Sequence, residues 1–549
     1  MIRTALALGA LLLASTANAV TIVENINGIQ VGPDGKLQHF GSFVIGDDGR
    51  VTQVMTNPTP RMSKFDHMIN GEGRTVLPGL IDAHGHVTDL GFAALRPDIT
   101  GTRSIAELQQ RLRDYAAANP KVQWILGYGW NQESWTEKRF PTTADIDAAV
   151  SDRPVVLERV DGHAIVANSA ALRAAGVTAA TQAPPGGEIH DGVFVDAARS
   201  LVEKAIPQPT LEQQDEALAK SQEILLGYGV TSVGSMSTSV ADWQTFRRAG
   251  DAGRLKVRLM SYLSGTESMK AVPHPTDWLY GDRLRAAGIK LFADGALGSR
   301  GAWLKQPYAD MPDSRGLQFH SDAEMLKLAD TAAEAGFQVA THAIGDAANA
   351  QIIGVYEQLT KKYGADRRWR IEHFQIVDPV DIPRLAPAGI IASMQPTHQT
   401  SDRLIAEARL GPNRLAGAYA WQSVLKSGAR LAFGTDFPVE NPNPFPGLAA
   451  AISRQDMSGQ PPGGWIPSER LTFDQALAAY TRGGAYAGFA EAKIGALEPG
   501  KWADFIIVDR DPIKVDAQAL ARTQVLETWV AGKKMWERAP SAAPTERGK

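Results

Sequence analysis

The run VLPGLIDAHGH (76–86) finishes an apolar stretch with Asp82, His84 and His86. In an extended chain residues i and i+2 share a face, so His84 and His86 present two imidazoles side by side, an arrangement able to grip one divalent cation. Four more polar residues lie inside or at the end of apolar runs: Lys290 in GIKLFADG, His342 in FQVATHAIG, His373 in RIEHFQIV and Asp436 in RLAFGTDFPV. The chain has 11 histidines, and four of them fall in such runs. Singly, each reads as a hydrogen-bonded core residue. Together, with a lysine and an aspartate in the same layer, they fit a divalent metal centre. Neutral imidazole and carboxylate suit zinc and leave a position for water. On this reading His84, His86 and Asp436 share one ion, and His342 and His373 hold a second. Two neighbouring cations need a bridging anion, which an ammonium cannot be. Lys290 is therefore expected to carry CO2 as a carbamate; the alternative is an ammonium paired with Asp294. Asp82, on the same strand face, is expected to orient a ligand histidine.

Eight apolar runs lie along the chain, 76–84, 230–236, 256–263, 288–295, 337–345, 370–377, 390–396 and 430–439, and five of them, the first, fourth, fifth, sixth and eighth, carry these residues inside them or at their ends. Helical patterns separate most of them, such as LEQQDEALAKSQEILLGYG before the second and DAEMLKLADTAAEAG before the fifth. Buried strands alternating with helices imply a parallel sheet, and eight such units imply an α/β fold, a (β/α)8 TIM-like barrel with its site at the C-terminal ends of the strands. Residues 75–489 are assigned to this barrel. Residues 91–209 are an insertion after the first strand, expected to form a lid over the mouth. Short strands with Gly and Asp turns at both ends imply a small β-sandwich domain built from 20–74 and 490–549.

The first nineteen residues, MIRTALALGALLLASTANA, place an arginine before a short apolar run and an Ala-Asn-Ala site. This is the order of a signal peptide, so cleavage after Ala19 and a periplasmic or secreted location are expected. No other stretch is long and apolar enough for a membrane span. With 44% hydrophobic and 21% charged residues and a net charge of −4, the composition is that of an ordinary globular protein and offers no basic stripe for nucleic acid. The absence of cysteine excludes a disulfide framework.

The ordered set of H-x-H in PGLIDAHGH, Lys290, His342, His373 in RIEHFQ and Asp436 in AFGTDFPV resembles the amidohydrolase superfamily. GYGWNQESW, RVDGHAIVANSAAL, LFADGALGSRGAW and MQPTHQTSD are similar to its amidohydrolase 3 (YtcJ-like) branch, which includes N-substituted formamide deformylases. The resemblance implies that His84, His86 and Asp436 hold the more buried of two divalent ions, expected to be zinc, that His342 and His373 hold the more exposed one, and that carboxylated Lys290 bridges them. It implies hydrolysis of an amide-like C–N bond (N-acyl, N-formyl or aryl amide) of a small molecule by a metal-activated hydroxide. Asp436 would act as ligand, proton acceptor and then proton donor to the leaving nitrogen. His163 in the insertion, His398 past the seventh strand, Trp130 and Arg300 are candidate substrate contacts; packing, loop stabilisation or a surface ion pair is the alternative for each. Relatives are often homodimers, a state the composition does not decide. A cyclic-amide or carbamate hydrolase, a dipeptidase, a single-metal variant and a non-catalytic binding protein are the competing readings.

Overall fold

The computed structural model describes residues 20–56, 65–160, 162–184 and 186–539; the expected signal peptide lies outside them. Eight parallel strands form one sheet in sequence order. They are β1 (Leu80–Gly85), β2 (Val230–Thr238), β3 (Arg258–Ser264), β4 (Leu284–Phe292), β5 (Gln338–Ala343), β6 (Arg370–His373), β7 (Ile391–Met394) and β8 (Arg430–Phe433). Nearly every strand residue is buried on both faces, as a sheet covered by helices outside and filled by its own side chains inside requires. The covering helices include α1 (Val87–Leu95), α2 (Leu211–Gly227), α3 (Val240–Asp251), α4 (Asp322–Glu334), α5 (Asp346–Tyr363), α6 (Pro396–Leu410) and α7 (Pro444–Ser453). Three of them, α2, α3 and α4, open on reciprocal capping boxes, Thr210 with Gln213, Ser239 with Asp242 and Ser321 with Glu324. Each box satisfies backbone donors that a helix start otherwise leaves unpaired.

The seam between β8 and β1 nearly closes the barrel, and residues of the polar cluster make it. Past the end of β8, Asp436 N donates to His84 O at 2.7 Å and His86 N donates to Phe437 O at 2.8 Å. The Asp82 carboxylate fills the seam, accepting from His84 N at 3.1 Å and from Thr435 Oγ1 at 2.7 Å. Gly434 permits this approach: a Cβ there would sit 2.5 Å from Asp82 Oδ1 and 2.6 Å from His84 N. Asp82 thus binds backbone and Thr435 rather than a histidine ring, contrary to the role expected of it.

The run 76–84 is two strands, not one. Thr75–Pro78 pairs with Phe505–Val508 and Asn27–Val31 in another sheet, and the barrel strand starts only at Leu80. Gly79 is the joint, where a Cβ would lie 2.3 Å from Thr231 Oγ1. The terminal segments form a four-stranded and a six-stranded sheet. Val23 and Phe43 of the first share a buried cluster with Phe505 and Ile507 of the second, and the Phe43 and Phe505 rings meet edge to face at 5.1 Å. Between β1 and α2 the chain builds a separate five-stranded sheet from Ile125–Trp130, Val155–Arg159, Ala164–Ala167, Gly187–His190 and Val193–Asp196. Its own apolar core includes Leu108, Trp130, Trp135, Val155 and Leu157. Among the described residues, no helix is long and apolar enough to cross a membrane.

Candidate metal centre

The barrel's C-terminal end gathers ring nitrogens around one carboxylate. Asp436 Oδ1 lies 3.3 Å from His84 Nε2 and 3.1 Å from His86 Nε2, and Asp436 Oδ2 lies 3.8 Å from His398 Nε2. Two triads therefore have donor atoms close enough to hold a cation: His84, His86 and Asp436, and His373, His398 and Asp436. The ring of His373 sits 4.7 Å from that of His84 and 4.6 Å from that of His342. Lys290 Nζ, on β4, comes to 3.3 Å from His84 Nε2. The sequence set His84, His86, Lys290, His342, His373 and Asp436 is thus assembled in one place. His398, from the first turn of α6, joins it, its ring stacked 6.0 Å from that of His373.

Backbone and hydrogen bonds hold the donors in orientation. Both His373 (φ 75°) and Asp436 (φ 61°) occupy the left-handed region, a strained conformation for residues with a Cβ and one that clusters at functional sites. His84 Nδ1 is 2.6 Å from Glu372 Oε2, which leaves Nε2 facing Asp436. Glu372 is in turn clamped by Arg370, whose Nε and Nη2 donate at 2.7 and 3.1 Å. His373 Nδ1 is 2.9 Å from Gln395 Oε1, the amide acceptor that fixes the other nitrogen as a free lone pair. Among the described residues the Nε2 atoms of His342 and His398 are buried with no hydrogen-bond partner, the nearest carboxylate oxygens being Asp294 Oδ1 at 3.5 Å and Asp436 Oδ2 at 3.8 Å. Orphaned buried imidazole nitrogens are costly, and here they point to a cluster built for cations.

The electrostatics fit the same use. Burial, reinforced by Lys290, lowers His342 to about 3, and burial beside His342 and His84 drives His373 well below the usual imidazole range. Both rings are neutral at neutral pH, the form in which an imidazole can bind a cation. Burial raises Asp436, but His84 and His86 outweigh it and hold the carboxylate well below its usual range. Lys290 is lowered by burial to about 8. Among the described residues its ammonium has no carboxylate partner: Asp294 instead accepts from Trp303 N, Ile344 N and Gly345 N at 2.8, 3.0 and 2.8 Å. The Lys290–Asp294 ion pair held open from the sequence is absent for that reason. The donor set, neutral imidazoles and one carboxylate with unpartnered nitrogens between them, suits a borderline-soft divalent ion such as zinc.

Three expected substrate contacts are engaged by other partners. Trp130 is wholly buried in the core of the inserted sheet, its Nε1 donating to Leu157 O at 2.8 Å; it packs and does not face the site. Arg300 is held in a surface ion pair with Asp310, at 3.2 and 2.8 Å, that Arg409 also joins. His163 is half exposed and bonds Asp196 at 2.7 Å, outside both triads. Sequence reading missed Glu372, Gln395 and Phe292. Glu372 was legible in principle: Arg370 and Glu372 stand two apart on β6, one face carrying a charge pair inside an apolar strand. Phe292 packs its ring 5.4 Å from that of His342 and 5.1 Å from Lys290 Nζ and is partly exposed at the mouth.

The amidohydrolase family model matches residues 67–535. The putative amidohydrolase YtcJ of Bacillus subtilis is 31% identical over 484 residues, covering 86% of this chain and 90% of that protein. An N-substituted formamide deformylase of Arthrobacter pascens is 28% identical over 525 residues, covering 91% and 95%. Among solved structures, an uncharacterized metal-dependent hydrolase from Pyrococcus horikoshii superposes with a TM-score of 0.78 at 28% identity, over 91% of this chain and 99% of that one.

Proposed function

This chain belongs to the amidohydrolase family, and from that premise we propose that it is an exported metal-dependent hydrolase of amide-like C–N bonds, acting on N-acyl, N-formyl or aryl amides. The observation that carries the reading is the Asp436 carboxylate, 3.3 and 3.1 Å from the Nε2 atoms of His84 and His86, beside buried imidazole nitrogens without partners. A formamide deformylase relative spanning most of both chains supports the C–N bond as the target.

His84, His86 and Asp436 would hold one divalent ion, and His342 and His373 a second, with Lys290 carboxylated between them. Zinc is the proposed metal. Bound there, the ions supply Lewis acidity, polarising a carbonyl and lowering the pKa of water. The chain's own residues do the rest. Asp436, kept ionised, is the acceptor for the attacking water's proton and its carrier to the leaving nitrogen. His398, with Nε2 free and 3.8 Å from Asp436 Oδ2, is the donor proposed to orient the substrate carbonyl. Phe292 shields Lys290 from bulk water. Carbamate formation needs a neutral amine, and a Lys290 lowered to about 8 offers one far more often at neutral pH than a lysine at 10.5.

The domain reading follows. The two terminal sheets, which take in Thr75–Pro78, form a β-sandwich domain, the eight strands between Leu80 and Phe433 the catalytic barrel, and the sheet within 91–209 a lid that shapes the pocket. Residues 1–19 direct export and are removed after Ala19, and a homodimer is the proposed assembly. A panel of formamides, N-acyl amino acids and aryl amides, assayed with and without chelator, tests the function. Hydrolysis lost on chelation and restored by zinc is expected; no turnover of any amide by the metal-loaded chain would reject it.

A further inference from the structure

One buried carboxylate beside the metal centre takes no part in the proposed chemistry. Asp294 lies four residues past Lys290, in the loop that follows β4, and is 1% exposed. Its two oxygens receive three backbone donors. Oδ1 accepts from Ile344 N at 3.0 Å, and Oδ2 accepts from Gly345 N and Trp303 N, both at 2.8 Å. Ile344 and Gly345 are the second and third residues past His342, so the carboxylate grips the chain just beyond that histidine. The packing there is close: a Cβ on Gly345 would lie 2.0 Å from Trp303 O. At this level β4 and β5 are in register, with Phe292 opposite His342, and Ala293 N donates to His342 O at 2.9 Å. Asp294 thus ties the end of the strand that carries Lys290 to the end of the strand that carries His342.

Backbone donors leave the charge of Asp294 unanswered. Among the described residues no lysine or arginine pairs with it, and a buried carboxylate held by neutral donors alone is costly. His342 Nε2 stands 3.5 Å from Asp294 Oδ1, at the outer edge of hydrogen-bond length. A carboxylate repels a lone pair, so the proton of this ring belongs on Nε2 and its lone pair on Nδ1. Two other rings of the cluster have support of the same kind: His84 Nδ1 meets Glu372 Oε2 at 2.6 Å, and His373 Nδ1 meets Gln395 Oε1 at 2.9 Å. In each case the acceptor comes from the end of a different strand, Glu372 on β6, Gln395 just past β7 and Asp294 just past β4. For His342 the acceptor also holds the two backbone amides that follow the ring.

We propose that Asp294 is the positioning residue of His342: it holds the proton-bearing nitrogen of that ring and the chain behind it, so that the other nitrogen is aimed at the second ion. The inference rests on the reading of the cluster as a two-ion centre and is independent of the substrate. Its test is metal binding by the full chain, with stepwise zinc affinities read by competition against a chromophoric chelator and the urea midpoint taken on the same samples. Asp294→Asn, which keeps the shape and removes the charge, should weaken one of the two ions about ten- to hundred-fold and spare the other. Glu372→Gln should weaken the ion held by His84 instead, and the double variant should weaken both. A role confined to bracing the loops would lower the urea midpoint and leave the two affinities alone, or lower both together. A second readout needs no change at Asp294. In the zinc-loaded chain with 15N-labelled histidine, the ring signals that vanish in His342→Gln should show the proton on Nε2. A proton on Nδ1, an equal loss at both ions in Asp294→Asn, or no loss at either overturns the proposal. A wild-type chain that binds a single ion removes the two-ion reading and the proposal with it; two ions bound, both indifferent to Asp294→Asn, removes the proposal alone.

Discussion

Glu372→Gln isolates how the protein aims a ligand. Glu372 is fully buried and serves two masters: Arg370 donates to it twice, at 2.7 and 3.1 Å, and His84 Nδ1 lies 2.6 Å from Oε2. The substitution keeps the volume and removes the charge. Arg370 then stands in the barrel interior without a counter-charge, a loss of about 3–5 kcal/mol by the usual cost of breaking a buried pair. Its bonds to Tyr262 Oη, Ala83 O and Ser393 Oγ, at 2.8, 2.8 and 3.0 Å, remain but carry no negative charge. His84 loses a charge-assisted acceptor, and metal affinity should fall about ten- to hundred-fold, as for other ligands deprived of the group that orients them. The two effects are separable. Adding Arg370→Met removes the stranded cation, so the double variant should recover most of the urea midpoint and none of the metal affinity. Urea titration followed by tryptophan fluorescence, with metal competition against a chromophoric chelator, measures both. A Glu372→Gln chain that binds metal as tightly as wild type would show that this carboxylate does not position His84.

Three further outcomes follow from particular contacts. Trp130→Ala should destabilise the chain by about 3–5 kcal/mol through the cavity it leaves, with the ranking of amide substrates unchanged; a changed ranking at unchanged urea midpoint would return Trp130 to the substrate pocket. Thr435→Val removes the hydroxyl that donates to Asp82 at 2.7 Å and leaves Oδ2 only the longer bond from Thr435 N at 3.1 Å, costing about 1 kcal/mol and loosening the β8–β1 seam, which hydrogen exchange at Asp436 N and His86 N reports. Arg300→Ala should leave both KM for amides and the urea midpoint unchanged, since its pair with Asp310 lies at the surface; a rise in KM would place the guanidinium against substrate.

The barrel was legible because its strands are buried on both sides and so read as apolar runs, and because the histidines and Asp436 fall at one end of them. The family model and the Pyrococcus horikoshii structure agree with that architecture. What escaped was set by packing between distant segments. The split of 76–84 at Gly79 depends on Thr231, 152 positions on, and no local pattern announces it. Asp82 sits on the same strand face as His84, yet its oxygens meet Thr435 across the seam while Glu372, from β6, reaches the ring. Trp130 and Arg300 have residue types common in binding sites; their actual partners, Leu157 O and Asp310, are a matter of tertiary placement.

The central claim is that the histidines and Asp436 hold divalent metal ions on which hydrolysis depends. Metal content of the purified chain by mass spectrometry, taken beside amide turnover on the same sample, tests it most directly. The account predicts two divalent ions per chain, loss of at least one in Asp436→Asn, and turnover that falls with metal content and returns on reloading. A folded chain that hydrolyses amides at full rate with no metal bound would contradict it.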